Sequence, residues 1–245
     1  MLVRADLHVH TVLSPCAEVD MIPPLIVERA LDLGLDLIAI TDHNSSANAA
    51  AVMEAARGSS LKVLPGMELL TREEVHLVCL FDTLEQVRHW QAQVDHAMPD
   101  LPNRADRLGE QFVVDAAGDF VRREERMLLV AANIALENAV AGVNAIGGIA
   151  IPAHIDRPAN GLFAVLGFLP LSLRVDALEI SKNISADVAR VQYNIPDNIA
   201  VIQSSDAHWL EALGSAMTEY EFRDSRNVVE LLAALKEKRY QIKDK

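Results

Sequence analysis

Leu2-Val-Arg-Ala-Asp-Leu-His-Val-His-Thr11 sets apolar residues between Asp6, His8 and His10. In an extended strand, side chains at i, i+2 and i+4 leave on one face. Alternation therefore places one carboxylate and two imidazoles on one side, with Leu7 and Val9 on the other. Two histidines two apart on a strand can chelate one cation, neutral imidazole being the commonest metal ligand. A polar strand end satisfied by its neighbours would read the same way in isolation. The decision lies further along the chain.

Several later apolar runs also end in polar residues. They are Asp36-Leu-Ile-Ala-Ile-Thr-Asp-His43, Leu61-Lys-Val-Leu-Pro-Gly-Met-Glu68, Ile149-Ala-Ile-Pro-Ala-His154 and Ala200-Val-Ile-Gln-Ser-Ser-Asp-Ala-His208. Central parallel strands read this way when their C-terminal ends open into a site. Val75 to Phe81 and Ala177 to Ser181 supply two more strands, and Tyr220-Glu-Phe222 a short last one. Pro23-Pro24 starts a helix with Leu25, Ile26, Ala30, Leu31 and Leu33 on one stripe, and Gly34 ends it. Further helices are predicted over 47–57, 135–146 and 225–238. The strand–helix rhythm breaks at 84–134, where a helix (84–98) precedes a hairpin within Gln111–Val121. This excursion is too short for a domain of its own and reads as a cap or lid on a single 1–245 unit.

The 245 residues are enough for one sizeable core. They are 51% apolar but only 4% aromatic, which suits an α/β fold with buried Ala/Leu/Val/Ile strands. A formal charge of −13 argues against polymeric nucleic acid as partner and leaves a small phosphorylated substrate open. Cys16 and Cys79 form no disulfide framework, and neither a leader nor a membrane-length apolar run is evident. A cytoplasmic protein without a membrane partner is expected.

Six of the eight histidines, His8, His10, His43, His76, His154 and His208, lie on or just after predicted strands. Asp42, Glu68 and Asp206 accompany them. In a closed parallel barrel all C-terminal strand ends share one face, so these residues would surround one pocket. Imidazoles and carboxylates in that number suit two or three divalent ions, Zn²⁺, Mn²⁺ or iron, with Glu68 able to bridge. Asp6 and Asp42 are either ligands or acceptors that fix an imidazole tautomer. Arg157 is the candidate phosphate clamp, with an ion pair to Asp156 as its plainer reading. Lys182 is a weaker candidate clamp, and His89 and His96 read as solvated helix residues.

Taken together, Asp6-Leu-His-Val-His-Thr11, Ile40-Thr-Asp-His43, Gly66-Met-Glu68, Val75-His-Leu77, Pro152-Ala-His154 and Ser205-Asp-Ala-His208 resemble the polymerase-and-histidinol-phosphatase (PHP) family in order and rough spacing. The resemblance implies a distorted (β/α)₇ barrel, up to three divalent metals and phosphoesterase activity. It also implies His8, His10, His43, Glu68, His76, His154, Asp206 and His208 as metal ligands. Where small members of the family carry a further Asp, this chain has Ser14-Pro-Cys-Ala-Glu-Val-Asp20. Aligning back from Met21-Ile-Pro23 puts Glu18 in that role, with Asp20 or Cys16 as alternatives. The expected activity is hydrolysis of a small phosphomonoester, a nucleotide by the resemblance. Arg157 and Asp42 would assist, and His208 or His154 would protonate the leaving group. A histidinol-phosphate phosphatase, a 3′–5′ exonuclease and a metal-stabilised non-catalytic module are the alternatives. A nuclease should display a basic track at the pocket mouth.

Overall fold

The computed structural model describes residues 1–243. Its strands are β1 (Leu2–Val9), β2 (Leu37–Ile40), β3 (Lys62–Leu70), β4 (His76–Leu80), β5 (Phe112–Val114), β6 (Phe120–Arg123), β7 (Ile149–Pro152), β8 (Ala177–Ile180), β9 (Ala200–Gln203), β10 (Thr218–Glu221) and β11 (Tyr240–Ile242). The helices are α1 (Pro23–Asp32), α2 (Ala49–Ala55), α3 (Leu84–Ala97), α4 (Ala105–Leu108), α5 (Leu136–Ala145), α6 (Leu162–Leu166), α7 (Ala186–Tyr193) and α8 (Val228–Lys236). None of them is long and apolar enough to cross a membrane.

Seven strands form a curled half-barrel in the order β11-β10-β1-β2-β3-β4-β7, and β8 and β9 form a separate parallel pair. The expected (β/α)₇ barrel is thus realised only as a mixed α/β half-barrel. Two physical departures account for this. First, β4 runs antiparallel to both β3 and β7, because the short Thr71–Val75 turn returns the chain directly instead of through a helix. Second, among the described residues no backbone ladder joins β8–β9 to β7, β10 or β11, and only an isolated Val9–Ala207 bridge ties the chain after β9 to β1. Side chains take the place of a ladder to β10 and β11: Val201 N–H donates to Tyr240 Oη at 3.1 Å, and Gln203 N–H donates to Thr218 Oγ1 at 3.0 Å. A seam is left there in the wall.

Leu37, Leu80, Ile151, Ala177, Ile202 and Tyr220, from six different strands, meet in one buried cluster, which is therefore the interior of the curl; Leu231 of α8 packs into the same cluster. Outside it, Ile38, Ile40 and Val63 pack on Ile26 and Ala30 of α1 and Val52 of α2. Phe81 and Leu77 pack on Trp90 of α3 and Val140 of α5. Helix α1 begins with Pro at its first positions and stops at Gly34, which adopts φ +66°. Helix α3 is closed by a Thr83–Gln86 capping box.

β1 departs from simple alternation. Asp6 pairs with Ile38 but Val9 with Ile40, so three steps on β1 oppose two on β2. This bulge re-aims the strand. Leu7 joins the interior cluster with Val3 and Ala5, while Val9 packs outside beside Ile38. Asp6 is consequently separated from His8 and His10.

The excursion contains α3 and the β5–β6 hairpin, close to the expected positions, and the short α4, which was not expected. The hairpin packs on the Thr11–Met21 loop through Leu13, Val113 and Leu128. Asn48 fixes it by accepting from Val114 N–H and donating to the Phe112 carbonyl. Gly109, at φ +99°, lies so near the Pro15 carbonyl that a Cβ would fall 2.2 Å from its oxygen. α6, α7 and β11 were not apparent in the sequence pattern.

Candidate metal centre

The curl brings five of the six strand-end histidines around one carboxylate, that of Glu68 near the C-terminal end of β3, with His208 beside them. Glu68 Oε1 lies 2.7 Å from His76 Nδ1, 3.1 Å from His154 Nε2 and 3.3 Å from His8 Nε2. Oε2 lies 3.0 Å from His43 Nδ1 and 3.4 Å from His10 Nε2. Asp206 Oδ1 completes the opposite side, 3.1 Å from His10 Nε2 and 3.4 Å from His8 Nε2. The His208 ring stacks on His10 with centroids 4.1 Å apart. His76 reaches the group from the first residue of β4, and only because that strand is reversed.

Local bonds aim these rings. Glu179 Oε1 accepts from His8 Nδ1 at 2.9 Å and from the His154 backbone N–H at 3.2 Å. Asp42 accepts from Thr11 N–H, Thr11 Oγ1 and Ser14 Oγ, each at 2.7 Å. Ser14 Oγ, its proton committed to Asp42, accepts from His10 Nδ1 at 2.9 Å. Both histidines therefore donate through Nδ1 and turn Nε2 towards Glu68 and Asp206, so that loss of the Nε2 proton bares a lone pair for an ion. His154 and Asp206 hold φ +29° and +52°, left-handed values that cost a non-glycine residue about 1–3 kcal/mol.

The electrostatics follow from burial and crowding. Burial alone would strip the charge from His8, but Glu179, Glu68 and Asp206 outweigh it and hold its pKa well above the ordinary value. His10, buried yet hydrogen-bonded to Asp206 and Glu68, is raised to about 9. Burial, with positive His10 nearby, pushes His43 down to about 4 and His208 to about 3. Glu68 and Asp206 are buried too, yet the surrounding imidazoles keep both carboxyls well below their usual range. Burial also raises Asp42, and lifts Asp6 to about 6.

Four atoms at the centre, His8 Nε2, His10 Nε2, Glu68 Oε2 and Asp206 Oδ1, are buried without a hydrogen-bond partner. Buried polar atoms are rarely left so, and a convergent set of them points to an ion. The ligating atoms fall into three overlapping groups: His8, His10, Glu68 and Asp206; His43, Glu68 and His76; His10, His43 and His208. The cluster fits a multi-metal site.

The other expected site residues, His154 among them, are in none of these groups. Glu18 is exposed, and its backbone N–H donates to the His208 carbonyl, but its carboxylate is in none of the three groups. Neither Asp20 nor Cys16 replaces it there, and Cys16 is exposed. Asp6, turned away by the bulge, accepts from the backbone N–H groups of Ser205 and Gly214. Asp42 acts on His10 through Ser14 rather than facing the centre. Arg157 reaches Asp206 Oδ2 at 2.5 Å, while Asp156 is engaged by Ser181 instead. His89 and His96 are exposed on α3, as expected. Ser14 and Glu179 were missed. Glu179 had left a signal, a lone carboxylate inside the apolar run 177–181.

The PHP domain family model matches residues 6–145, and a PHP-associated model matches residues 197–240. Over 80 residues the chain is 35% identical to the 5′-3′ exoribonuclease Rnm of Escherichia coli, covering 31% of this chain and 26% of that protein. The fold resembles a lesion-specific endonuclease, endonuclease Q of Pyrococcus furiosus, with a TM-score of 0.75 at 22% identity, over 99% of this chain and 58% of that one. Endonuclease Q in complex with a 27-mer duplex bearing an abasic lesion gives 0.72 at 21%, over 97% and 57%. The chain thus spans about a quarter of the ribonuclease and somewhat over half of the endonuclease. These relatives overturn the expectation of a small phosphorylated substrate with polymeric nucleic acid excluded.

Proposed function

Because the chain belongs to the PHP domain family, we propose that it is a metal-dependent phosphodiesterase acting on nucleic acid. The observation that carries this reading is the set of unpartnered buried atoms facing one another around Glu68. His8, His10, His43, Glu68, His76, Asp206 and His208 would hold two or three divalent ions of the Zn²⁺, Mn²⁺ or Fe²⁺ class. Such ions supply acidified water and Lewis-acid polarisation of phosphoryl oxygens. Arg157, on the open side of Asp206, would grip a non-bridging phosphate oxygen pair, for which its planar fork is suited. His208 donates Nδ1–H to the Asp206 carbonyl and resists protonation, which favours a ligating nitrogen over a proton donor. His154, which lines the same pocket as Arg157, is then the candidate to protonate the leaving oxygen.

We read residues 1–245 as one unit in which 84–134 is a fixed buttress for the Thr11–Met21 loop. The test is cleavage of labelled RNA and DNA oligonucleotides with Mn²⁺, Mg²⁺ or Zn²⁺, alongside an EDTA-treated sample and His10→Ala. Metal-dependent cleavage that the variant loses is the expected result. Metal binding without any phosphodiester cleavage would overturn the reading.

A further inference from the structure

A cleft of about 720 Å³ occupies the seam between β9 and β11, its walls including Val201 and Gln203 on one side and Tyr240 and Ile242 on the other. Its charged lining is four cations, Lys182, Arg190, Lys238 and Lys243, against one carboxylate, Asp187. In a chain of net charge −13 that local excess is a reversal of sign. Lys182 and Lys238 make no ion pair among the described residues. Arg190 donates only to the Pro196 and Ile199 carbonyls, which leaves its charge uncompensated. Lys243 is neutralised by Glu219 at 2.5 Å.

Two residues of the cleft border the metal centre as well. Lys182 and Asn183 also line a pocket of about 210 Å³ together with His154, Arg157, Asp206 and His208. Trp209 stands on the same pocket with 44% of its surface exposed. A large exposed aromatic beside a phosphate-sized pocket, followed by spaced cations, is the chemistry that binds a single nucleic-acid strand: rings stack bases and ammonium groups track phosphates. The pocket is smaller than the roughly 300–1,000 Å³ of ordinary ligand sites, so it admits a backbone phosphate more readily than a paired duplex.

We propose that the open seam is a single-strand track, running from Trp209 past Lys182 to Lys238, that delivers a polynucleotide to the metal centre. This rests on the phosphodiesterase reading and names its substrate class. The feature that interrupts the barrel wall is then the feature that admits the strand.

The test measures fluorescence anisotropy of labelled 12-nucleotide oligo-U and oligo-dT over a salt series, with EDTA present to prevent turnover. Lys182→Glu and Lys238→Glu should each weaken binding about tenfold at moderate salt and lower the log–log salt slope by about 1. Trp209→Ala should also weaken binding about tenfold while leaving the salt slope alone, since stacking releases no counterions. The RNA and DNA arms report which sugar is preferred. Both lysine variants binding within twofold of the parent, with unchanged slope and circular dichroism, would overturn the track. So would tighter binding of a duplex than of either strand. Separately, the parent protein with Mn²⁺ is assayed on bis(p-nitrophenyl) phosphate, which is too short to use the cleft. Failure there and on the labelled oligonucleotides would sink the phosphodiesterase reading, whereas turnover there with unaffected lysine variants would sink only the track.

Discussion

Replacing Glu179 with alanine should cost metal affinity although Glu179 belongs to none of the three ligand groups. Its Oε1 alone accepts both His8 Nδ1–H and the His154 N–H. Without it, His8 is free to turn or to change tautomer, and its Nε2 no longer faces Glu68 and Asp206. Loss of an orienting partner of this sort typically weakens metal binding about 10–100-fold, or roughly 1.4–2.8 kcal/mol. Two buried N–H groups also lose their acceptor, at about 1–3 kcal/mol each in stability. Because one oxygen serves both bonds, Glu179→Gln can keep them through its carbonyl and lose only the charge. The glutamine variant should therefore lose less than about tenfold, a charged acceptor being worth about twice a neutral one. Competition for Zn²⁺ against a chromophoric chelator gives the affinities, and urea unfolding gives the stabilities. A folded alanine variant within twofold of the parent would refute the orienting role. A glutamine variant as weak as alanine would show that charge, not aim, is what Glu179 provides.

Three further outcomes are expected. The metal-stripped protein should be most stable near pH 6.5. His10 is raised from 6.5 to about 9, so its contribution is fully present below 6.5 and fades as pH rises through 9, by roughly 3 kcal/mol. On the acid side His43 and His208 are depressed, so theirs is present above 6.5 and lost as pH falls. A divalent ion should flatten the alkaline limb because it prefers deprotonated His10; thermal melts from pH 5 to 10 with and without Zn²⁺ check this, and an alkaline limb unaltered by Zn²⁺ would contradict it. Gly109→Ala should destabilise by more than about 2 kcal/mol, combining a left-handed φ with a collision at the Pro15 carbonyl, and chemical denaturation would read the loss. Arg157→Ala should lower kcat on an oligonucleotide by about 10²-fold, and Arg157→Lys should not restore it, as steady-state kinetics would report.

The six imidazoles and Glu68 were legible because strand ends are where an apolar period gives way to polar residues, and the chain repeats that transition from Asp6 to His208. What periodicity cannot encode is direction and register. His76 reads as one more strand residue, yet it reaches the centre from the start of a reversed β4. Asp6 reads as the partner of His8 and His10, yet one extra residue on β1 sends it to Ser205 and Gly214. Glu18 was placed by alignment across an irregular loop, where spacing does not determine where a side chain points. Ser14 is invisible for another reason: a serine in a polar loop carries no pattern, and only the Asp42–Ser14–His10 chain of bonds reveals its use. The seam beside β9 escaped because the residues around it, Thr218 and Tyr240 among them, look like ordinary strand formers.

The left-handed backbone at His154 sets stability against activity at that position. A buried imidazole at φ +29°, with an Nδ1 that finds no partner, is a residue the bare fold would do better without. Glycine or asparagine would relax the strain, each being at ease in that conformation. A library selected only for heat resistance in the absence of metal should therefore drift to those residues at 154, whereas one selected for turnover should hold histidine there.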